Sequence, residues 1–153
     1  MLAKGTDCSN KLIKSYYDMN TNQAGKMTEV NVLSYLVNRG YSVSLPFGDK
    51  DRYDQIWDIN NKLYKVQIKT SRWIDEEHSG IVFSCYTVCN GKRHFYQSDE
   101  VDLFATYFDN KLYVIPIDEC STEKKLRFSS KQPNQPSINW AKDYEFEEVI
   151  KRF

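Results

Sequence analysis

At 153 residues the chain is long enough to bury one hydrophobic core and short for two, so a single domain over 1–153 is expected. Lys plus Arg and Asp plus Glu stand at 21 each, which excludes the broad positive field of many nucleic-acid binders; any such contact must come from local patches. With 41% apolar and 27% charged residues, and no apolar run near the ~20 residues that cross a bilayer, the composition fits neither a disordered chain nor a helical membrane protein. The opening MLAKGTDCSNKLIKSYYD lacks the apolar core of a secretory signal, so the cytoplasm is the expected compartment and the four cysteines are expected to be reduced.

Residues 1–25 show no sustained period and read as an irregular arm or a short helix. From Lys26 to Arg39 the apolar residues Val30, Leu33, Leu36 and Val37 recur at helical spacing, and Gly40 follows where a helix ends. Glu29 precedes Leu33 by four and Leu36 by seven, so it shares their side and points toward the body of the domain, where a carboxylate needs a partner or a task. YSVSLPF, 41–47, is strand-like and runs into the polar loop GDKDR.

RYDQIWDINNKLYKVQIKTSRW, 52–73, reads as a hairpin turning at Asn60-Asn61, since Asn tolerates the left-handed conformations of a two-residue turn. Centring the turn there pairs residues whose numbers sum to 121. Asp54 then faces Gln67, and Lys69 projects from the same face, while Tyr64, Val66, Ile68 and Thr70 are left to pack into a core. GIVFSCYTVC, 80–89, reads as one strand, followed by the basic loop 90–94. DLFATYF and KLYVIPI flank Asp109-Asn110 as a second hairpin, with Pro116 marking an edge or a strand end. A polar, proline-containing loop follows over 129–137. DYEFEEVIKRF closes the chain as a helix with Phe146, Val149, Ile150 and Phe153 inward.

Two groups could carry chemistry. His78, Cys85, Cys89 and His94 bring zinc to mind, but positions four apart on a strand lie about 13 Å apart at ~3.3 Å per residue, which disfavours a shared ion. Glu29, Asp54, Gln67 and Lys69 fit better. Hard divalent ions such as Mg²⁺ prefer oxygen ligands, and a lysine beside them can orient the attacking water or offset charge on a phosphorus that becomes five-coordinate. A structural ion pair is the alternative use of the same residues.

The helix with Glu29, then GYSVSLPFGDKDRYDQIWD, then LYKVQIKTS resembles the PD-(D/E)XK nuclease superfamily, specifically the small group I intron-associated homing endonucleases described from cyanobacteria. The resemblance implies a restriction-endonuclease-like α/β fold: an αβββ core with a mixed sheet, an additional β-hairpin and a C-terminal helix. It implies Asp54 as the metal-binding aspartate, Lys69 as the catalytic lysine, and the backbone carbonyl of Ile68 as a further metal ligand. Gln67 stands where the superfamily expects Asp or Glu, which leaves Glu29 as the second carboxylate. Tyr53 replaces the proline of the motif. The cofactor expected is Mg²⁺, with Mn²⁺ as a substitute.

On this reading the substrate is double-stranded DNA, cut in the nucleoid by at least a homodimer and, following the resemblance further, a homotetramer on a long pseudo-palindromic target. DNA contacts are expected from Arg72 and Trp73 and from Lys92, Arg93 and His94 in a ribbon suited to the major groove; for a third basic patch, Lys124, Lys125, Arg127 and Lys131, DNA contact and a solvated surface are equal readings. A restriction endonuclease or a Holliday junction resolvase would share the same centre. A non-catalytic DNA-binding domain is the reading from another class.

Overall fold

The computed structural model describes residues 20–48 and 50–153; of the irregular arm or short helix expected over 1–25, residues 1–19 lie outside the described residues and 21–25 belong to the first helix. Helix α1, Thr21–Val37, starts five residues before the sequence pattern placed it. Asn20 explains the difference. Its side chain accepts the Gln23 N–H at 3.0 Å, and the Gln23 side chain accepts the Asn20 N–H at 3.4 Å, a reciprocal cap that no apolar period reveals. The C-terminal end behaves as expected, with Gly40 at φ 84°.

The buried arc of α1 is Thr28, Val32, Tyr35 and Leu36, so the expected inward set needs correction. Leu36 is buried and Leu33 half-buried, but Val30 and Val37 face outward at 61% and 55% exposure. Tyr35 sets this phase, because its ring packs edge-on against Phe146 and Tyr107.

A five-stranded mixed sheet forms the centre, in the order β1-β2-β3-β8-β9: β1 Ser42–Ser44, β2 Gln55–Ile59, β3 Lys62–Ile68, β8 Leu103–Phe108 and β9 Lys111–Pro116. Neighbours are antiparallel except β3 and β8, which run parallel. The expected register of the first hairpin holds: Gln55 pairs with Val66 and Trp57 with Tyr64, around Asn60 and Asn61 at φ 55° and 62°. The second hairpin turns at Asp109 and Asn110, φ 49° and 60°, and Pro116 ends an edge strand, where its missing N–H breaks no ladder.

Both faces of this sheet are covered, which is why β8 is buried at four successive residues, Leu103 to Thr106. On one face α1 and the C-terminal turns pack over Trp57, Tyr64, Val66, Ile68, Leu103 and Val114. The expected C-terminal helix is one turn, α2 Phe146–Val149, flanked by 3-10 turns; Phe146 and Val149 are buried, Ile150 is half-buried, and Phe153 stacks on Tyr64 at 4.7 Å. Thr70 is not in this core. It is exposed, and its hydroxyl meets that of Thr28 at 3.0 Å.

On the other face lies a three-stranded sheet, β10-β5-β4, made of Glu123–Arg127, Gly80–Ser84 and Arg72–Trp73. Its Ile81, Phe83 and Leu126 pack on Phe104, Tyr113 and Ile115. Gly80 permits the close approach of β5 and β10, since a Cβ there would collide with the Leu126 carbonyl. The single strand expected over 80–89 is broken at Cys85, where the chain leaves this layer to form a separate two-stranded ribbon, β6 Tyr86–Cys89 and β7 Lys92–Phe95. Cys85 is buried and its N–H donates to the Thr122 carbonyl at 2.9 Å, so it anchors the crossing. Among the described residues no helix is long and apolar enough to cross a membrane.

Candidate active site

The alternation of β2 and β3 sends Trp57, Tyr64 and Val66 toward α1 and therefore sends Asp54, Gln67 and Lys69 to the opposite face, beneath the β6–β7 ribbon. Three backbone bonds hold the pieces in place: the Asp54 N–H donates to the Val66 carbonyl at 2.9 Å, the Lys69 N–H to the Ala105 carbonyl at 2.8 Å, and the Ile68 N–H to Asp54 Oδ2 at 2.7 Å. Gln67 Nε2 donates to the same Oδ2 at 2.6 Å and lies 3.4 Å from the Ile68 carbonyl oxygen. Two oxygens thus converge on one positively polarised group.

Glu29, half-buried on α1, lies near enough to Asp54 for their charges to interact. The helix is locked to the hairpin by Gln55, whose Nε2 donates to the Glu29 carbonyl at 3.0 Å and whose Oε1 accepts the Trp57 indole N–H at 2.9 Å. Gln55 is 1% exposed, so this amide is a buried polar link with its partners satisfied. The sequence reading assigned Gln55 no role; a polar residue in the alternating core-facing row of a strand was the available signal.

The electrostatics are those of a crowded anionic site. Burial pushes the Asp54 carboxyl above its ordinary range, opposed by the Ile68 N–H and by Lys69. Burial also raises Glu29, and the neighbouring charge of Asp54 raises it further. Lys69 is lowered by burial and pulled back up by Asp54. Its ammonium is held from above: Nζ donates to the Tyr86 carbonyl at 3.1 Å and to the Tyr96 hydroxyl at 3.3 Å, and it lies 4.9 Å from the centroid of the Tyr96 ring. Burial, with the charge of Asp54 adding to it, pushes the Tyr96 phenol up to about 12. Neither Tyr96 nor the Tyr86 carbonyl was foreseen, because nothing in the spacing of 86 and 96 from 69 shows that the ribbon folds back over Lys69.

Of the expected set, Asp54, Gln67, Ile68 and Lys69 are brought together, and Glu29 is linked to them through its charge interaction with Asp54. The DNA-binding candidates divide. Lys92, Arg93 and His94 lie on β7, and Arg93 packs over the Tyr86 ring at 4.5 Å. Arg72 and Trp73 form β4 in the outer layer: Arg72 pairs with Glu123 at 3.2 Å, and Trp73 is wedged between His78 at 4.2 Å and Phe108 at 4.6 Å. The third basic patch divides, with Lys124 buried, Arg127 half-buried and Lys125 and Lys131 exposed. Lys124 is 5% exposed, its Nζ donating to the Glu119 carbonyl, Asn139 and Tyr144, while Arg127 pairs with Asp75 and Lys131 with Glu77. The zinc grouping is not assembled either: His78 stacks on Trp73, His94 pairs with Glu100, Cys85 is buried and Cys89 exposed. Among the described residues no three His, Cys, Asp or Glu side chains are placed to share an ion.

The family described as PD-(D/E)XK endonuclease matches residues 19–147, a span that takes in the whole cluster. The chain belongs to the PD-(D/E)XK endonuclease family. It is a DNA endonuclease, a hydrolase, and enzymes of this family generally use divalent metal ions. The solved structure of a bacterial homing endonuclease, I-Ssp6803I, is similar in fold, with a TM-score of 0.71 and 21% identity over 88% of this chain and 95% of that one. Comparison with curated proteins finds no significant match.

Within this PD-(D/E)XK endonuclease, the donor set suits a hard divalent ion. Two carboxylates whose mutual charge raises Glu29, a backbone carbonyl and an amide oxygen are all oxygen donors, and the place where Asp54 Oδ2 and the Ile68 carbonyl converge already holds the NH₂ of Gln67. Turning that amide over would present Oε1 instead.

Proposed function

We propose that the chain is a Mg²⁺-dependent endonuclease of the homing type, cutting both strands of a specific DNA duplex as a symmetric homodimer or homotetramer. The observation that carries the catalytic part is the convergence of Asp54, Gln67 and the Ile68 carbonyl beside Lys69. The homing part rests on the likeness in fold to I-Ssp6803I, itself a bacterial homing endonuclease.

Asp54, the Ile68 carbonyl, Gln67 and Glu29 are the groups that would hold the metal. When bound, such an ion supplies Lewis-acid stabilisation of the charge that builds on the phosphate oxygens. The chain's own residues do the rest. Lys69, fixed by the Tyr86 carbonyl and the Tyr96 hydroxyl, orients the attacking water in line with the scissile P–O3′ bond and offsets the developing negative charge. Burial around Asp54 and Lys69 lowers the local dielectric and strengthens both effects.

Lys92 and Arg93 stand on a ribbon rooted beside Lys69, so a duplex seated with its scissile phosphate on the site meets that ribbon at once. Two-stranded ribbons fit the major groove. Lys92, Arg93 and His94 are thus the favoured contacts of the sequence-predicted set, with Arg72 and Trp73 more peripheral.

The test is incubation of purified protein with supercoiled plasmid and Mg²⁺ or Mn²⁺, beside Lys69→Ala and Asp54→Asn. Nicking and linearisation by the wild type alone is expected, together with light scattering at twice or four times the protomer mass. Identical behaviour of wild type and both variants on every duplex and branched substrate would refute the catalytic assignment.

A further inference from the structure

Where the ribbon meets the catalytic cluster stands a polar trio that the cleavage chemistry does not use. Arg52, two residues before Asp54, places Nε 3.4 Å from Glu100 Oε1, and His94 on β7 places Nε2 3.0 Å from Glu100 Oε2. The Gln97 N–H also donates to Oε2 at 3.0 Å. Side-chain exposure falls from 51% for Arg52 through 32% for His94 to 21% for Glu100, so two nitrogen donors rim an acid that sits deeper.

The location gives the trio its meaning. His94 is two residues from Tyr96, with ring centroids 5.7 Å apart, and Tyr96 touches Lys69. A DNA strand leaving the Asp54–Lys69 site along the Tyr96 side of the ribbon would run past His94 and its partners Glu100 and Arg52. An unmoved Glu100 would repel it. Yet a carboxylate and a phosphodiester present the same pattern, two anionic oxygens facing a fork of N–H donors. Glu100 is well suited to hold such a fork ready, since the Gln97 N–H, and then His94 and Arg52, keep its carboxyl below the ordinary range and so ionised.

We propose that Arg52 and His94 form a clamp for a phosphate flanking the scissile one, and that Glu100 fills this clamp in the free protein as an internal anion that DNA displaces. The proposal rests on the nuclease reading of the neighbouring site. Its consequence is a uniform penalty: every duplex must expel Glu100, so all duplex binding is weakened by the same factor and the weakest, non-specific complexes fall below appreciable occupancy first.

The experiment measures fluorescence anisotropy of the full-length protein with a labelled, mixed-sequence duplex, in EDTA so that no cleavage occurs, across a salt series. Arg52→Gln is expected to weaken binding about fivefold and to lower the log–log salt slope by about 0.9, one phosphate contact. Arg52→Lys should keep the slope. Glu100→Gln, which still offers an oxygen to the Gln97 N–H, should tighten binding threefold or more. In the double variant Arg52→Gln/Glu100→Gln the gain from Glu100→Gln should shrink, because the clamp it would release is gone. Simple charge repulsion predicts additive effects instead, and additivity overturns the proposal. So does unchanged or weaker binding by Glu100→Gln, an unchanged slope in Arg52→Gln, or an absence of measurable binding by both the wild type and Glu100→Gln. Plasmid cleavage with and without Lys69→Ala reports on the nuclease reading separately, since binding in EDTA does not depend on it.

Discussion

Gln67→Glu restores the acidic residue of the family motif and changes one NH₂ to an oxygen at nearly constant shape. In the wild type Gln67 Nε2 donates to Asp54 Oδ2 at 2.6 Å; the variant sets a second anion there. At an effective dielectric of about 20, two unit charges about 3 Å apart repel by roughly 5 kcal/mol, and the lost hydrogen bond adds about 1 kcal/mol or more. The protein has a cheaper route. Protonating one carboxyl at pH 7 costs about 1.36 kcal/mol for each unit between 7 and a pKa of about 4.3, roughly 3.7 kcal/mol, and the proton then restores a hydrogen bond to Oδ2. The expected loss in EDTA is therefore about 2–4 kcal/mol, read as a lower urea midpoint with unchanged slope. Saturating Mg²⁺ should recover most of it and raise the midpoint of the variant more than that of the wild type. A midpoint unaltered in EDTA and insensitive to Mg²⁺ would show that Gln67 and Asp54 do not share a cation position.

Glu29→Gln gives the pH test. Burial and Asp54 raise the Glu29 carboxyl above 4.5, so its ionised form destabilises the metal-free fold: the cost is complete above the raised pKa and vanishes as the pH falls below 4.5. The variant should thus be more stable than wild type at pH 7.5 in EDTA and should lose that advantage on acidification; an advantage that grows toward low pH contradicts the assignment. Phe146→Ala removes a ring that is 1% exposed and packs edge-on against Tyr35, Tyr41 and Trp57, so chemical denaturation should register a loss of about 3–5 kcal/mol. Arg93→Glu should weaken duplex binding severalfold while leaving Mg²⁺ binding intact by calorimetry; unchanged DNA affinity would remove the ribbon from the interface.

Local rules made several elements legible. The Asn60-Asn61 and Asp109-Asn110 turns, the register that puts Asp54 opposite Gln67, and Gly40 at the end of α1 all follow from backbone preferences that a few neighbouring residues decide. Where those rules met tertiary packing, they lost resolution. Val30 and Val37 have the spacing of a core face, yet the buried side of α1 is fixed by Tyr35 against Phe146, more than a hundred residues away. Residues 80–89 carry one uninterrupted strand signal, yet Cys85 divides it, because Ile81 and Phe83 have Phe104 to pack on while Tyr86–Cys89 takes its ladder from β7 alone.

The catalytic set divides in the same way. Asp54, Gln67 and Lys69 share a face because a strand alternates and a hairpin pairs, and that much is contained in the order of residues. Which face is buried, that Gln55 ties Glu29 to it, that Tyr86 and Tyr96 close over Lys69, and that Lys124 is an internal strut rather than a DNA contact were decided only when the second layer and the ribbon folded back onto the sheet. The physical reason is range: hydrogen-bond register and turn conformation depend on a few adjacent residues, whereas burial and the resulting shifts of Asp54 and Lys69 depend on which distant segments remove water from them.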